Sequence, residues 1–159
     1  MDSLPIIGVD SSGHVKYPPI WMVAVRESKR FQKHHAVLMS YEEHDKYATA
    51  MKNWYEKLSA ALIFRAVLPI YYSGDSIHVD HDFEGKTEKH VERYLKRLFG
   101  VRFYGRHPLN APSITFIPPR YSGAVKIAHK KSRLARYKTL NINERDPNLD
   151  REFSELRDP

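Results

Sequence analysis

An apolar, β-branched run that ends in a carboxylate lies near the start of the chain and constrains its fold more than any other feature. Residues 5–13 read PIIGVDSSG. Isoleucine and valine favour a pleated strand, and the serines and glycine that follow favour a turn. Asp10 is therefore predicted near the end of a buried strand, where a charge is costly unless a cation or hydrogen bonds compensate it.

A second carboxylate is predicted on a strand seventy residues later, in the segment IHVDHD at residues 77–82. Side chains alternate along a strand, so His78, Asp80 and Asp82 are expected on one face. Two carboxylates that meet at the centre of a sheet suit a divalent cation. Asp10 and Asp80 are therefore predicted metal ligands and Asp82 a further one, although Asp10 capping a turn and Asp82 capping the next helix are the alternatives.

The predicted ligands also indicate which metal the site prefers. The chain has no cysteine, which excludes disulfides, zinc–thiolate sites and a cysteine nucleophile. Most of the candidate ligand atoms are hard oxygens, which favour Mg²⁺ or Mn²⁺ over Zn²⁺. The sequence therefore predicts a Mg²⁺ or Mn²⁺ cofactor.

Positive charge is concentrated in the body of the chain. Residues 1–143 carry 23 Lys and Arg against 13 Asp and Glu, whereas residues 144–159 carry 3 against 6. A basic body of this size favours an anionic partner, of which nucleic acid is the commonest. A lysine-rich surface without such a partner is the alternative.

A predicted helix from about Ser122 to Tyr137 carries much of this charge. No acidic residue interrupts its basic side chains, while Val125, Ala128 and Leu134 are expected to pack inward. Such a helix binds phosphates without reading sequence, although a solvated charged face is the alternative. The predicted nucleic-acid-binding residues are Lys126, Lys130, Lys131, Arg133 and Arg120.

The order of predicted elements indicates an α/β fold. Three strands form an antiparallel meander, and two further strands then alternate with helices, which predicts a mixed five-stranded sheet flanked by helices. A helix capped by Ser40 is expected to continue through Leu62. Residues 1–138 are predicted as one domain, and residues 139–159 as a polar, mobile C-terminal tail.

Three short motifs, in this order, resemble type 2 ribonuclease H within the ribonuclease H-like superfamily. They are GVDSSGHV at residues 8–15, VDH at 79–81 and YSGAVKIAHK at 121–130. The resemblance implies a ribonuclease H-like sheet, a catalytic role for Asp10 and Asp80, and nucleic acid as substrate. The chain departs from the family at Ser11, where the family has Glu, and in lacking an acid between Pro118 and Arg120.

Two functions follow from these observations. The first is a divalent-metal-dependent nuclease, a hydrolase acting on RNA, RNA–DNA hybrid or structured DNA. The second is a nucleic-acid-binding module that keeps the fold without cleaving its ligand, which the missing acids favour. No run of about 18 apolar residues and no signal peptide is evident, so a cytoplasmic protein without a membrane partner is expected.

Overall fold

A computed structural model describes residues 5–12, 14–27, 32–72, 74–80, 85–102, 112–137 and 139–157. Six strands and five α-helices occupy these ranges. In chain order they are β1 Ile6–Ser12, β2 Ile20–Glu27, β3 Gln32–Met39, α1 Tyr41–Tyr47, α2 Trp54–Val67, β4 Ser76–Asp80, α3 Gly85–Arg102, β5 Ser113–Ile117, α4 Gly123–Arg136, β6 Glu144–Arg145 and α5 Asp150–Glu155.

The strands form one mixed sheet in the order β5-β4-β1-β2-β3-β6. β1, β2 and β3 pair antiparallel, whereas β4 runs parallel to β1 and β5 runs parallel to β4. The predicted α/β class, the meander and the parallel strands beside it are therefore confirmed. The sheet has six strands rather than five because the two-residue β6 pairs in parallel with β3.

The two faces of the sheet are covered by different helices. On one face Ile7 and Val9 of β1 join Ile77 and Val79 of β4 in a large core with residues of α2, α3 and α5. On the other face α4 lies across β1 and β2 and closes a smaller core that includes Val23. Because strand residues alternate between faces, the residues adjacent to the large core's isoleucines and valines point toward α4.

α4 packs on the sheet through small side chains. Its buried residues are Ala124, Val125, Ala128, Ser132 and Ala135. Leu134, which the sequence predicts to pack inward, is 47% exposed. Its position follows from helix geometry, because successive residues are rotated by about 100° and position 134 lies off the face shared by 128, 132 and 135.

Residues 139–157 belong to the fold rather than to a separate tail. β6 lies beside β3, with Glu144 opposite Val37. Leu149, Phe153 and Leu156 are buried in the large core. Phe153 lies in α5, and Leu149 and Leu156 flank it at helical spacing on the same face, a short pattern that the polar composition of the segment conceals.

No helix in the described ranges is long and apolar enough to cross a membrane. α3 reaches 18 residues, but Lys and Glu side chains interrupt it throughout.

Candidate metal centre

Asp10 and Asp80 project from neighbouring parallel strands toward α4. Val9 is the register partner of Val79, and the next residue on each strand is the carboxylate. Since Val9 and Val79 face the large core, Asp10 and Asp80 face the opposite side. Both are buried, with exposures of 3% and 8%. The structure thus brings together the two carboxylates that the sequence predicts as metal ligands.

His129 of α4 completes the cluster. Its Nδ1 lies 2.8 Å from Oδ2 of Asp10 and 3.7 Å from Oδ2 of Asp80. One ligand atom from each of the three residues lies within 4.8 Å of the others. The site therefore offers two carboxylate oxygens and one imidazole nitrogen at a single point between sheet and helix.

Ser132 supports Asp10 from the next turn of α4. Its hydroxyl lies 3.1 Å from Oδ2 of Asp10 and 2.8 Å from the main-chain oxygen of His129. A hydroxyl has one proton, so it donates to one of these acceptors at a time. When it donates to Asp10, it orients the carboxylate toward His129.

His78 lies on the same face of β4 as Asp80 but takes a different role. Its Nδ1 is 2.8 Å from the hydroxyl oxygen of Ser122. That same oxygen accepts the N–H of Val125 and so caps the start of α4. Burial lowers the pKa of His78, which favours the neutral ring. His78 therefore connects β4 to the beginning of α4.

The three residues of the cluster fit a divalent cation. Two carboxylates buried side by side repel each other and lose hydration, and this cost is offset by a cation between them. Carboxylate oxygen and imidazole nitrogen are both metal ligands, and the carboxylates favour a hard ion. The Asp10, Asp80 and His129 cluster could therefore hold a metal ion. Asp82, the further predicted ligand, lies outside the described residues.

The predicted phosphate-binding side chains fall into two groups. Lys126, Lys130 and Arg133 are exposed along α4, and Arg120 is exposed just before it. The guanidinium of Arg120 lies 4.9 Å from the centre of the neighbouring tyrosine ring. Lys131 is partly buried and lies close enough to His34 of β3 for its charge to lower that pKa, after the larger effect of burial. Lys131 therefore lies apart from the exposed side of α4 that carries Lys126, Lys130 and Arg133.

His129 and Ser132 are the site residues that sequence reasoning misses. Both lie in a helix whose other polar side chains are mostly Lys and Arg. Ser132 shares the buried face with Val125 and Ala128, and His129 lies three residues before it. A hydroxyl on a buried helical face with an imidazole one turn away was the available signal.

No protein-family model matches the chain, and no curated protein matches its sequence. Function is therefore inferred from the geometry of Asp10, Asp80 and His129 and from the charge of the helix above them.

Proposed function

We propose that this protein is a divalent-metal-dependent nuclease acting on RNA, RNA–DNA hybrid or structured DNA. The observation that carries the proposal is the buried cluster of Asp10, Asp80 and His129 beneath a basic helix. His129, which contacts the carboxylates, is followed directly by the exposed Lys130. Ligands for a metal and groups that bind phosphate are thus adjacent on α4.

In this function Asp10 and Asp80 would hold Mg²⁺ or Mn²⁺, with Nδ1 of a neutral His129 as a third ligand. The imidazole favours Mn²⁺ more than Mg²⁺. When bound, the ion would supply an activated water and would stabilise charge on the phosphate. Ser132 orients Asp10, while Lys126 and Lys130 bind phosphates of the strand and hold it over the cluster.

The arrangement of strands supports the proposed likeness to the ribonuclease H superfamily. The meander of β1, β2 and β3 continues on the other side of β1 with the parallel strands β4 and β5. The two carboxylates lie on β1 and β4, the strands to which the resemblance assigns them. Ribonuclease H-like catalysis is therefore the mechanism we propose for this site.

A second candidate function is nucleic-acid binding without cleavage, and the contact between His129 and Asp10 favours it. A proton on Nδ1 would be donated to Oδ2 of Asp10, 2.8 Å away, and would leave that nitrogen unable to bind a metal. The carboxylates are then compensated by the protein itself. The basic helix would still bind phosphates.

The experiment that separates the two functions compares metal binding with cleavage. Calorimetry with Mn²⁺ and Mg²⁺, and cleavage of labelled RNA, hybrid and branched DNA, are measured for the wild type and for Asp10→Asn/Asp80→Asn. We expect the double variant to lose both metal binding and cleavage. Asp45→Asn, which removes an exposed carboxylate of α1, is the matched control and should retain both.

Two other results would contradict the nuclease proposal or the position of its site. Nucleic-acid binding without metal binding or cleavage would overturn the nuclease and leave the second candidate. Cleavage that survives in the double variant would place catalysis elsewhere.

His129→Ala gives a further readout, because it leaves buried carboxylates without their imidazole partner. Under the nuclease proposal, Mn²⁺ should restore the thermal stability that this variant loses.

A further inference from the structure

The loop between β1 and β2 presents a group of aromatic rings to solvent. The ring of His14 stacks on that of Tyr55 from α2, with centroids 5.5 Å apart and an interplanar angle of 1°. The ring of Tyr17 lies 5.6 Å from His14 at an angle of 46°. Tyr17 is 73% exposed. We refer to His14, Tyr17 and Tyr55 as the ring platform.

Hydrogen bonds within and beneath the loop hold the ring platform in place. The N–H of Tyr17 donates to the main-chain oxygen of His14 at 2.8 Å, which closes a tight turn. The buried Val15 inserts into the large core, and its main-chain oxygen lies 2.8 Å from Nε2 of His44. The rings are therefore preorganised, which reduces the entropy lost when a ligand stacks on them.

The same contacts indicate which ring nitrogen of His14 accepts a hydrogen bond. The N–H of Lys16 lies 3.2 Å from Nδ1 of His14, and a main-chain amide can only donate. Nδ1 is thus the acceptor, and Nε2 of the neutral ring can donate its proton to the Tyr55 hydroxyl, 3.4 Å away. A flat ring stacked on a tyrosine resembles the aromatic surfaces on which nucleic-acid bases stack.

A positive charge accompanies the rings. Nζ of the exposed Lys16 lies 4.8 Å from the centre of the Tyr55 ring. An aromatic surface with a lysine beside it matches the base and phosphate of one nucleotide. The ring platform lies beyond the end of β1 that carries Asp10, on the side of the sheet that packs the large core. His14 follows Asp10 by four residues, so their Cα atoms are separated by no more than about 14 Å.

Tyr17 does not owe its position to packing in the core. Stabilisation by an aromatic ring scales with the apolar area removed from water, and this ring leaves most of its area in solvent. Its neighbour Val15 anchors the loop without it. Tyr17 therefore contributes little to the core and is available to a ligand.

We infer that the ring platform binds an unpaired base of the nucleic acid that the cluster of Asp10, Asp80 and His129 would cleave. This inference rests on the proposed function and specifies its substrate class. A base inside a duplex stacks on its neighbours and cannot place its face on Tyr17. The preferred substrate is therefore single-stranded beside the site of cleavage rather than a continuous duplex.

The test measures binding in the Asp10→Asn variant, in which the probe is not cleaved. Labelled oligothymidylate is compared by fluorescence anisotropy with an abasic oligomer of the same length and with a duplex of that length. Stacking of one base corresponds to an affinity about five- to 150-fold higher for oligothymidylate than for the abasic oligomer. Tyr17→Ala should lower this affinity ratio most of the way to one, and Tyr17→Phe should retain it.

Tyr72→Ala is the matched control for the removal of an exposed ring. Tyr72 is 56% exposed and precedes β4, at the opposite end of the sheet from the loop that follows β1. Tyr72→Ala should leave the affinity ratio of oligothymidylate to abasic oligomer unchanged.

Equal binding of oligothymidylate and abasic oligomer, tighter binding of the duplex, or an unchanged ratio in Tyr17→Ala would overturn the inference. In each of these cases the proposed function would stand if binding of the nucleic-acid probes remained steeply salt-dependent. Absence of binding to every probe would instead overturn the nucleic-acid partner, and with it both proposals.

Discussion

At the scale of single residues, Gly8 determines how closely α4 approaches the sheet. It lies two residues before Asp10 on the same face of β1. A Cβ at Gly8 would lie 2.1 Å from the carbonyl carbon of Ala124 and 2.5 Å from the main-chain nitrogen of Val125. Both neighbours are backbone atoms of α4, which cannot rotate away. This close approach places His129 within hydrogen-bonding distance of Asp10.

Gly8→Ala is therefore expected to lower the free energy of unfolding by at least about 2 kcal/mol, because overpacking must displace the helix. Urea unfolding followed by circular dichroism measures the change. Gly100→Ala is the control, since a Cβ there meets nothing within 4 Å and the residue lies in α3. It should be neutral or stabilising by up to about 1 kcal/mol. Similar losses of stability in both variants would show that the close approach to Ala124 is unimportant.

At the scale of elements, α4 combines the two parts of the proposed site. Its small buried residues hold it on β1 and β2, and its exposed side carries Lys126, Lys130 and Arg133. His129 lies at the boundary between these sides, next to Asp10. A rigid helix thus sets the position of the side chains proposed to bind phosphate relative to the carboxylates.

Lys126→Ala/Lys130→Ala should weaken binding of a single-stranded oligonucleotide and make it less sensitive to salt. For each phosphate that the variant no longer neutralises, the slope of log K against log salt concentration becomes shallower by about 0.7. Anisotropy titrations at several salt concentrations measure the slope. Lys89→Ala removes an exposed lysine from α3, on the other side of the sheet, and should preserve it. A slope unaffected by the double substitution would exclude α4 as the binding surface.

At the scale of the whole molecule, the C-terminal segment closes the large core. Phe153 is buried, with its ring centroid 4.7 Å from that of Tyr47. Arg65 of α2 forms ion pairs with Glu144 of β6 and Glu152 of α5, the latter at 3.1 Å. The acidic residues of this segment therefore compensate a cation on the face of the sheet opposite α4.

Phe153→Ala is expected to lower the free energy of unfolding by about 3–5 kcal/mol, because it leaves a cavity in the large core. Thermal and urea denaturation measure the loss of stability. Arg157→Ala, four residues later and exposed, should change stability by less than about 0.5 kcal/mol. A Phe153→Ala variant as stable as the wild type would mean that the segment does not contribute to the core.

The local sequence predicts those features that depend on neighbouring residues. β-branched runs predict β1 and β4, and with them the position of Asp10 and Asp80 on strands. Ser40 caps α1 as its spacing from Glu43 predicts, with the N–H of Glu43 donating to its hydroxyl. The helix predicted to continue to Leu62 is instead two helices, α1 and α2. The apolar spacing continues across the break, so periodicity alone conceals it.

By itself the sequence determined the five longer strands, which carboxylates they carry and how charge is distributed along the chain. Only the tertiary structure decided that His129 and Ser132 meet Asp10, and that residues 139–157 complete the core. The hydrogen bonds to Asp10 join residues more than one hundred positions apart. They depend on strand register and on the approach of α4 to Gly8, which are set by packing between distant segments rather than by local preference.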